Sequence, residues 1–132
     1  SFHGRVALLK SLPEGSPVSY GRLTTLERPT QLAVLSAGYA DGIPMPFTKR
    51  AEVLVSGCRC PVLGRVTMDQ LIVDVTDLEE PLHEGDQATF IGKQGDETIS
   101  IAEFSHWGDS IPWECFCSIS KRVTRVYKTF RE

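Results

Sequence analysis

Turn-forming residues cut this chain into strand-length pieces almost from end to end. Pro13-Glu14-Gly15-Ser16-Pro17 closes a first apolar run at 6–12, and Glu27-Arg28-Pro29-Thr30 separates 18–21 from 31–36. Ser56-Gly57 joins 52–55 to 59–66 as a hairpin, and a second proline–glycine turn at 81–86 lies between 71–75 and 88–91. A final run covers 123–130. Proline gives no ladder donor and glycine weakens an element interior, so such clusters end strands rather than continue them. Many short strands with turns between them predict an all-β chain, folded as a small closed barrel or a sandwich. One short helix interrupts the pattern. Ser100-Ile101-Ala102-Glu103 reads as a capping box, Ile101, Phe104 and Trp107 form an apolar face, and Gly108 suits a left-handed stop. This helix is expected to plug one end of the barrel.

Composition narrows the function classes. A chain of 132 residues fits one domain, and 41% hydrophobic content excludes a disordered polymer. The net charge of −3 comes from interspersed signs. No basic stripe is present, so no nucleic acid or membrane is expected as partner. No apolar run reaches the length of a spanning helix, and the start carries no signal-peptide pattern. Beginning at Ser1 without a Met, the chain is expected to be a fragment of a longer protein or a processed form.

The cysteines fall into two close pairs, Cys58/Cys60 and Cys115/Cys117. In strands each pair would share a face and could offer two thiols. Structural zinc sites, however, place two to four residues between paired cysteines. The pairs therefore read as reduced, buried small hydrophobes of a cytoplasmic protein. His3, His83 and His106 are scattered, and Asp69, Asp74 and Asp77 lack the alternation of a calcium loop. No metal is expected.

Chemistry concentrates at Ser36-Ala37-Gly38-Tyr39-Ala40-Asp41-Gly42, after the buried run 32–35. Gly38 and Gly42 allow turns that bulky residues resist. With small neighbours on both sides, the Tyr39 ring has nothing large to pack under, so its hydroxyl can project from a strand end. A phenol with its ordinary pKa near 10 is protonated at neutrality, and it serves as a base only where neighbours stabilise the phenolate. The plain alternative is a half-buried aromatic closing a small core.

Five ordered blocks carry a family resemblance. Val18-Ser19-Tyr20-Gly21, then Ala37-Gly38-Tyr39-Ala40-Asp41-Gly42 and Gly64-Arg65-Val66-Thr67-Met68-Asp69-Gln70 resemble the C-terminal domain of alanine racemases. Ile91-Gly92-Lys93-Gln94-Gly95-Asp96-Glu97 and the closing segment from Ser118-Ile119-Ser120-Lys121-Arg122-Val123 to Val126-Tyr127 complete the match. The resemblance spans nearly the whole chain. It implies that residues 1–132 are that domain, a small closed Greek-key barrel of about six strands with peripheral strands.

The resemblance also implies a role. In the family, pyridoxal 5'-phosphate sits on a lysine of a separate N-terminal (β/α)8 barrel, which this chain lacks. Its ring withdraws electrons from the substrate Cα, and racemisation then needs one base on each face. The tyrosine matching Tyr39 removes the proton from the L-enantiomer, reaching into the partner subunit of a homodimer. The position matching Met68 contacts substrate through its backbone, whereas a turn-capping carboxylate accounts for Asp69. Implied overall is a cytoplasmic isomerase making D-alanine for cell-wall (peptidoglycan) precursors.

One departure stands out. Ser110-Ile111-Pro112-Trp113-Glu114 aligns with a family segment whose tyrosine contacts the cofactor phosphate and narrows the substrate entrance. Trp113 therefore takes the cofactor-binding position with an indole donor and a larger ring. Serine racemases of the family vary here too, so serine competes with alanine as substrate; a core position is the plain reading of Trp113. None of Lys10, Lys49, Lys93, Lys121 and Lys128 sits in a setting like the cofactor lysine, so this chain alone is expected to be inactive. Two rival classes remain: a sugar- or oligonucleotide-binding barrel, and a zinc-ribbon-like interaction domain built on the cysteines.

Overall fold

The computed structural model describes residues 1–18, 24–47 and 50–125. Nine strands appear: β1 Phe2–Leu12, β2 Pro17–Val18, β3 Thr24–Thr25, β4 Thr30–Leu35, β5 Glu52–Val55, β6 Cys58–Leu63, β7 Leu71–Asp74, β8 Gln87–Gln94 and β9 Glu97–Ile99. Two helices follow, α1 Ile101–Trp107 and α2 Pro112–Ser118. The main sheet runs β1-β4-β7-β6-β5-β8, and β1 also pairs with β8, so six strands close into a ring. Every pairing in it is antiparallel. β9 hangs from β8 as a peripheral strand, and β2–β3 form a separate ribbon.

β1 makes the closure possible. Phe2–Arg5 pair with β8, Val6–Leu12 pair with β4, and the register shifts at Phe2/His3 and again between Val6 and Leu8. Such irregularities bend a strand and let it serve two neighbours. The β5–β6 hairpin turns on Ser56 and Gly57, both with positive φ (51° and 74°), as a primed two-residue turn requires.

A chain of aromatic rings runs through a largely aliphatic core. Phe2, Phe90, Phe104 and Phe47 pack in a chain, with centroids 5.0 Å apart for Phe2–Phe90, 6.2 Å for Phe2–Phe104 and 4.8 Å for Phe47–Phe104. Val53, Val55, Val73 and Leu35 fill the space around them, all fully buried. Phe104 brings α1 onto this cluster, while Ile101 and Trp107 are only half-buried.

The ring architecture matches the all-β expectation, with several corrections. β1 begins at Phe2, because its polar start (His3, Arg5) hides a strand whose Gly4 faces the Phe90 ring, 3.0 Å from where a Cβ would sit. The run 59–66 is strand only to Leu63; Gly64 then turns with φ +67°. β9 is short, and only its last residue, Ile99, is apolar and buried. Among the described residues there are two α-helices rather than one. α2 starts on Pro112, the position where proline's fixed φ suits a first turn. Residues 123–125 are not strand, whereas 19–21 and 126–130 lie outside the described residues.

Helix α1 departs in detail too. Ser100 Oγ accepts from Glu103 N–H at 3.0 Å, but the Glu103 carboxylate goes to Arg59 at 2.8 and 3.0 Å, so only half of the capping box forms. Gly108 has φ −85°, and Asp109 takes the left-handed conformation at φ +54°. Gly108 is small for another reason: a Cβ there would lie 2.7 Å from Pro44 Cγ.

Candidate functional site

Tyr39 heads a 3-10 turn, Tyr39–Asp41, just beyond the buried end of β4. Main chain flanks this turn on both sides. On one side lies the Thr67–Met68 peptide: Tyr39 N–H donates to the Thr67 carbonyl at 2.9 Å, and Ala40 N–H to the Met68 carbonyl at 3.0 Å. Gly38 admits that peptide, since a Cβ there would sit 2.2 Å from the Thr67 oxygen and 2.5 Å from the Met68 carbonyl. Its backbone is extended (φ −149°), so close approach, not a left-handed turn, demands glycine here. On the other side lies Ser118–Ile119, and Gly42 (φ +111°) would meet the Ile119 Cα at 2.8 Å if it carried a Cβ. Gly42 is the left-handed position of the pair.

Two carboxylates secure the turn. Asp41 Oδ2 accepts from Gly38 N–H at 2.9 Å and caps it, while the Asp41 carbonyl accepts from Ser120 N–H at 3.3 Å. Arg122 reaches Asp41 Oδ1 at 3.4 Å through Nε and Asp69 Oδ1 at 2.7 Å through Nη2. These anions, Asp69 foremost, make the Arg122 guanidinium more basic than usual. Asp69 therefore pairs with an arginine rather than capping its own turn. In that turn Thr67 closes on Gln70 instead: the Thr67 hydroxyl donates to the Gln70 carbonyl at 3.0 Å and accepts from Gln70 N–H at 3.1 Å.

The backbone is pinned, yet the side chains stand out. Tyr39 is 47% exposed and Met68 52%. The Tyr39 ring borders a cleft of about 280 Å³ formed with Gly42, Pro44, Met45, Ser110 and Cys115. A half-exposed phenol at the mouth of a cleft is placed to exchange a proton with a bound molecule. The Met68 carbonyl is engaged by Ala40, while its N–H has no protein acceptor among the described residues.

The structure thus brings Tyr39 and Met68 together. Trp113 is held apart from the cleft wall on α2, 72% exposed and stacked on Phe116 with centroids 6.4 Å apart. It is not core. Met45, Ile111 and Phe116 are likewise each more than half exposed.

Arg122 lies in the closing segment, far along the chain from both carboxylates it joins. Its signal in the sequence was two aspartates, each within two residues of a singled-out side chain. The cysteines also differ from expectation. Cys115 and Cys117 lie on a helix, not a strand, and within each pair one thiol is buried and one exposed. Burial pushes the Cys60 thiol up to about 12 and raises that of Cys115. No cluster of three or more metal-ligating side chains occurs among the described residues. No helix among them is long and apolar enough to cross a membrane.

Comparison with known proteins identifies the family of the domain. The profile of the alanine racemase C-terminal domain matches residues 1–127. The alanine racemase of Symbiobacterium thermophilum is 47% identical over 123 residues, covering 93% of this chain and 32% of the relative. Alanine racemase from Bacillus anthracis with bound L-Ala-P superposes with a TM-score of 0.84 at 37% identity, over 92% of this chain and 30% of that one. The Bartonella henselae enzyme with covalently bound pyridoxal phosphate gives 0.87 at 31% identity, over 96% and 34%. The chain spans about a third of the length of the curated relatives it matches. A closed six-strand ring that presents a glycine-flanked tyrosine beside a methionine turn, matched along nearly its whole length, belongs to the alanine racemase C-terminal domain family.

Proposed function

We propose that this chain is the C-terminal domain of a pyridoxal 5'-phosphate-dependent racemase that interconverts L- and D-alanine, and that Tyr39 is the acid–base group on one face of the substrate. The observation that carries this reading is a half-exposed phenol on a turn whose backbone is packed against main chain on both sides. A proton carrier needs that combination of fixed position and open access.

Lys10, Lys93 and Lys121 are all exposed, so the described residues offer no enclosed amine for the cofactor, which belongs to an N-terminal barrel of the full-length protein. When bound, pyridoxal phosphate withdraws electrons from Cα and makes its proton removable. The residues of this chain then divide the work. Tyr39 Oη takes the Cα proton of the L-enantiomer, and returns a proton to the same face in the opposite direction. The Met68 N–H holds the substrate's polar end. Trp113, on the exposed side of α2, stands at the phosphate and the substrate entrance. The exposed apolar side chains Tyr39, Met45, Met68, Ile111, Trp113 and Phe116 are covered in a homodimer, so that each Tyr39 serves the partner's site. The D-alanine formed in the cytoplasm feeds cell-wall precursors. Serine competes with alanine as substrate on one observation: Trp113, with its larger ring and an indole donor, occupies the position expected at the substrate entrance and is 72% exposed.

Tyr39→Phe in the full-length enzyme tests the reading. Loss of a positioned acid–base group lowers turnover by about 10²–10⁴-fold. Racemisation of L-alanine at the parent rate would overturn it. The isolated chain, mixed with pyridoxal phosphate, is expected to show neither a lysine-adduct absorbance band nor turnover.

A further inference from the structure

We propose that Arg122 is a positioning residue for Tyr39: by bridging Asp41 and Asp69 it locks the turn that carries the phenol to the turn that carries Met68. The inference rests on the role of Tyr39 proposed above. Asp41 belongs to the Tyr39 turn and caps Gly38 N–H at 2.9 Å, while Asp69 follows Met68 directly. Arg122 touches both, at 3.4 and 2.7 Å, from two different nitrogens of one guanidinium. A planar fork with several fixed donors can span two carboxylates, which a lysine ammonium does less well.

The rest of the junction explains why such a lock matters. Only two backbone hydrogen bonds, Tyr39 N–H to Thr67 O and Ala40 N–H to Met68 O, connect these irregular segments directly. The Cβ-free Gly38 lets them touch, but contributes no side chain to hold them. Tyr39 itself is half exposed, so ring packing does little to fix it. Side-chain charge supplies what packing does not. Arg122 is itself half exposed, and its contacts run to the turn residues rather than to the substrate cleft, so its effect passes through position.

Hydrogen exchange followed by mass spectrometry on the full-length protein reads the lock without turnover. Arg122→Met is expected to speed exchange of the Tyr39 and Ala40 amides by about tenfold, as loss of a charge-assisted bond implies, while strands β5 and β8 keep parent rates. Arg122→Lys should recover part of that protection. Asp69→Asn, an exposed change, tests the same link if Arg122→Met fails to fold, and should loosen 38–42 and 67–70 together. In the active enzyme, deuterium at Cα of L-alanine should give a larger isotope effect with Arg122→Met, and deuterium at Cα of D-alanine should not. Parent exchange rates at 38–42 in every variant, or uniform loosening of the whole domain, would overturn the proposal. Failure of Tyr39→Phe to slow racemisation would instead remove the catalytic reading and leave the exchange result standing.

Discussion

Arg59 and Arg122 gather carboxylates at two places in this domain, and the company each keeps sets its consequence. Arg59 meets Glu52, Glu97 and Glu103 at 3.3, 3.1 and 2.8 Å, and also donates to the Thr98 carbonyl at 2.8 Å. Those partners sit on or beside β5, β9 and α1, elements already fixed by ladders and by Phe104. Its side chain is 26% exposed, against 49% for Arg122. The Glu103 hydrogen bond leads the effects that make the Arg59 guanidinium more basic than usual. Arg122 instead joins turns that have no ladder. Identical chemistry therefore adds stability where structure already exists, and defines geometry where it does not.

The contrast can be broken from either side. On the side of the fold, Phe104→Ala empties the centre of the aromatic chain and should lower stability of the full-length protein by about 3–5 kcal/mol in urea unfolding. On the side of the site, Gly38→Ala forces a methyl against the Thr67–Met68 peptide. Displacing the phenol by about 1 Å should cut turnover about 100-fold, and because the methyl meets backbone rather than a flexible side chain the urea midpoint should fall as well. An unchanged kcat for Gly38→Ala would show that the close approach is not what places Tyr39.

Arg59→Met sharpens the comparison. It should cost about 1–2 kcal/mol of stability while kcat stays within about twofold of the parent, the opposite balance from Arg122→Met. The smallest effect is chemical. Cys58 and Cys60 lie two residues apart on β6, but burial raises the Cys60 thiol to about 12, which suppresses its nucleophilic thiolate at pH 8. Iodoacetamide at pH 8 should label Cys58 in the native protein and reach Cys60 only after unfolding, as peptide mass mapping would show.

How much was legible in the sequence differs between elements for physical reasons. The Ser56-Gly57 hairpin was readable because a primed turn needs residues that tolerate positive φ. Helix α1 was readable from Ser100, whose hydroxyl does cap Glu103. Helix α2 was not, because its signal was a Pro112 start without an apolar stripe, and Trp113 and Phe116 face outward. β9 escaped because three residues are too few to show alternation: Ile99 is fully buried, but its neighbours Glu97 and Thr98 are polar, and pairing with β8 completes the strand. At the site, Tyr39 and Met68 stood out from their motifs, whereas Arg122 lies more than fifty residues from Asp69 and no local pattern joins them.

The sequence by itself determined the strand-length pieces, the turns between them and the phenol enclosed by small residues, because backbone freedom and apolar patterning act over a few residues. The tertiary structure alone decided that β1 would close the ring onto β8, that Gly38 would carry the Thr67–Met68 peptide, and that one arginine would join Asp41 to Asp69. Those contacts depend on distances between segments remote in the chain, which only packing of the whole core can fix.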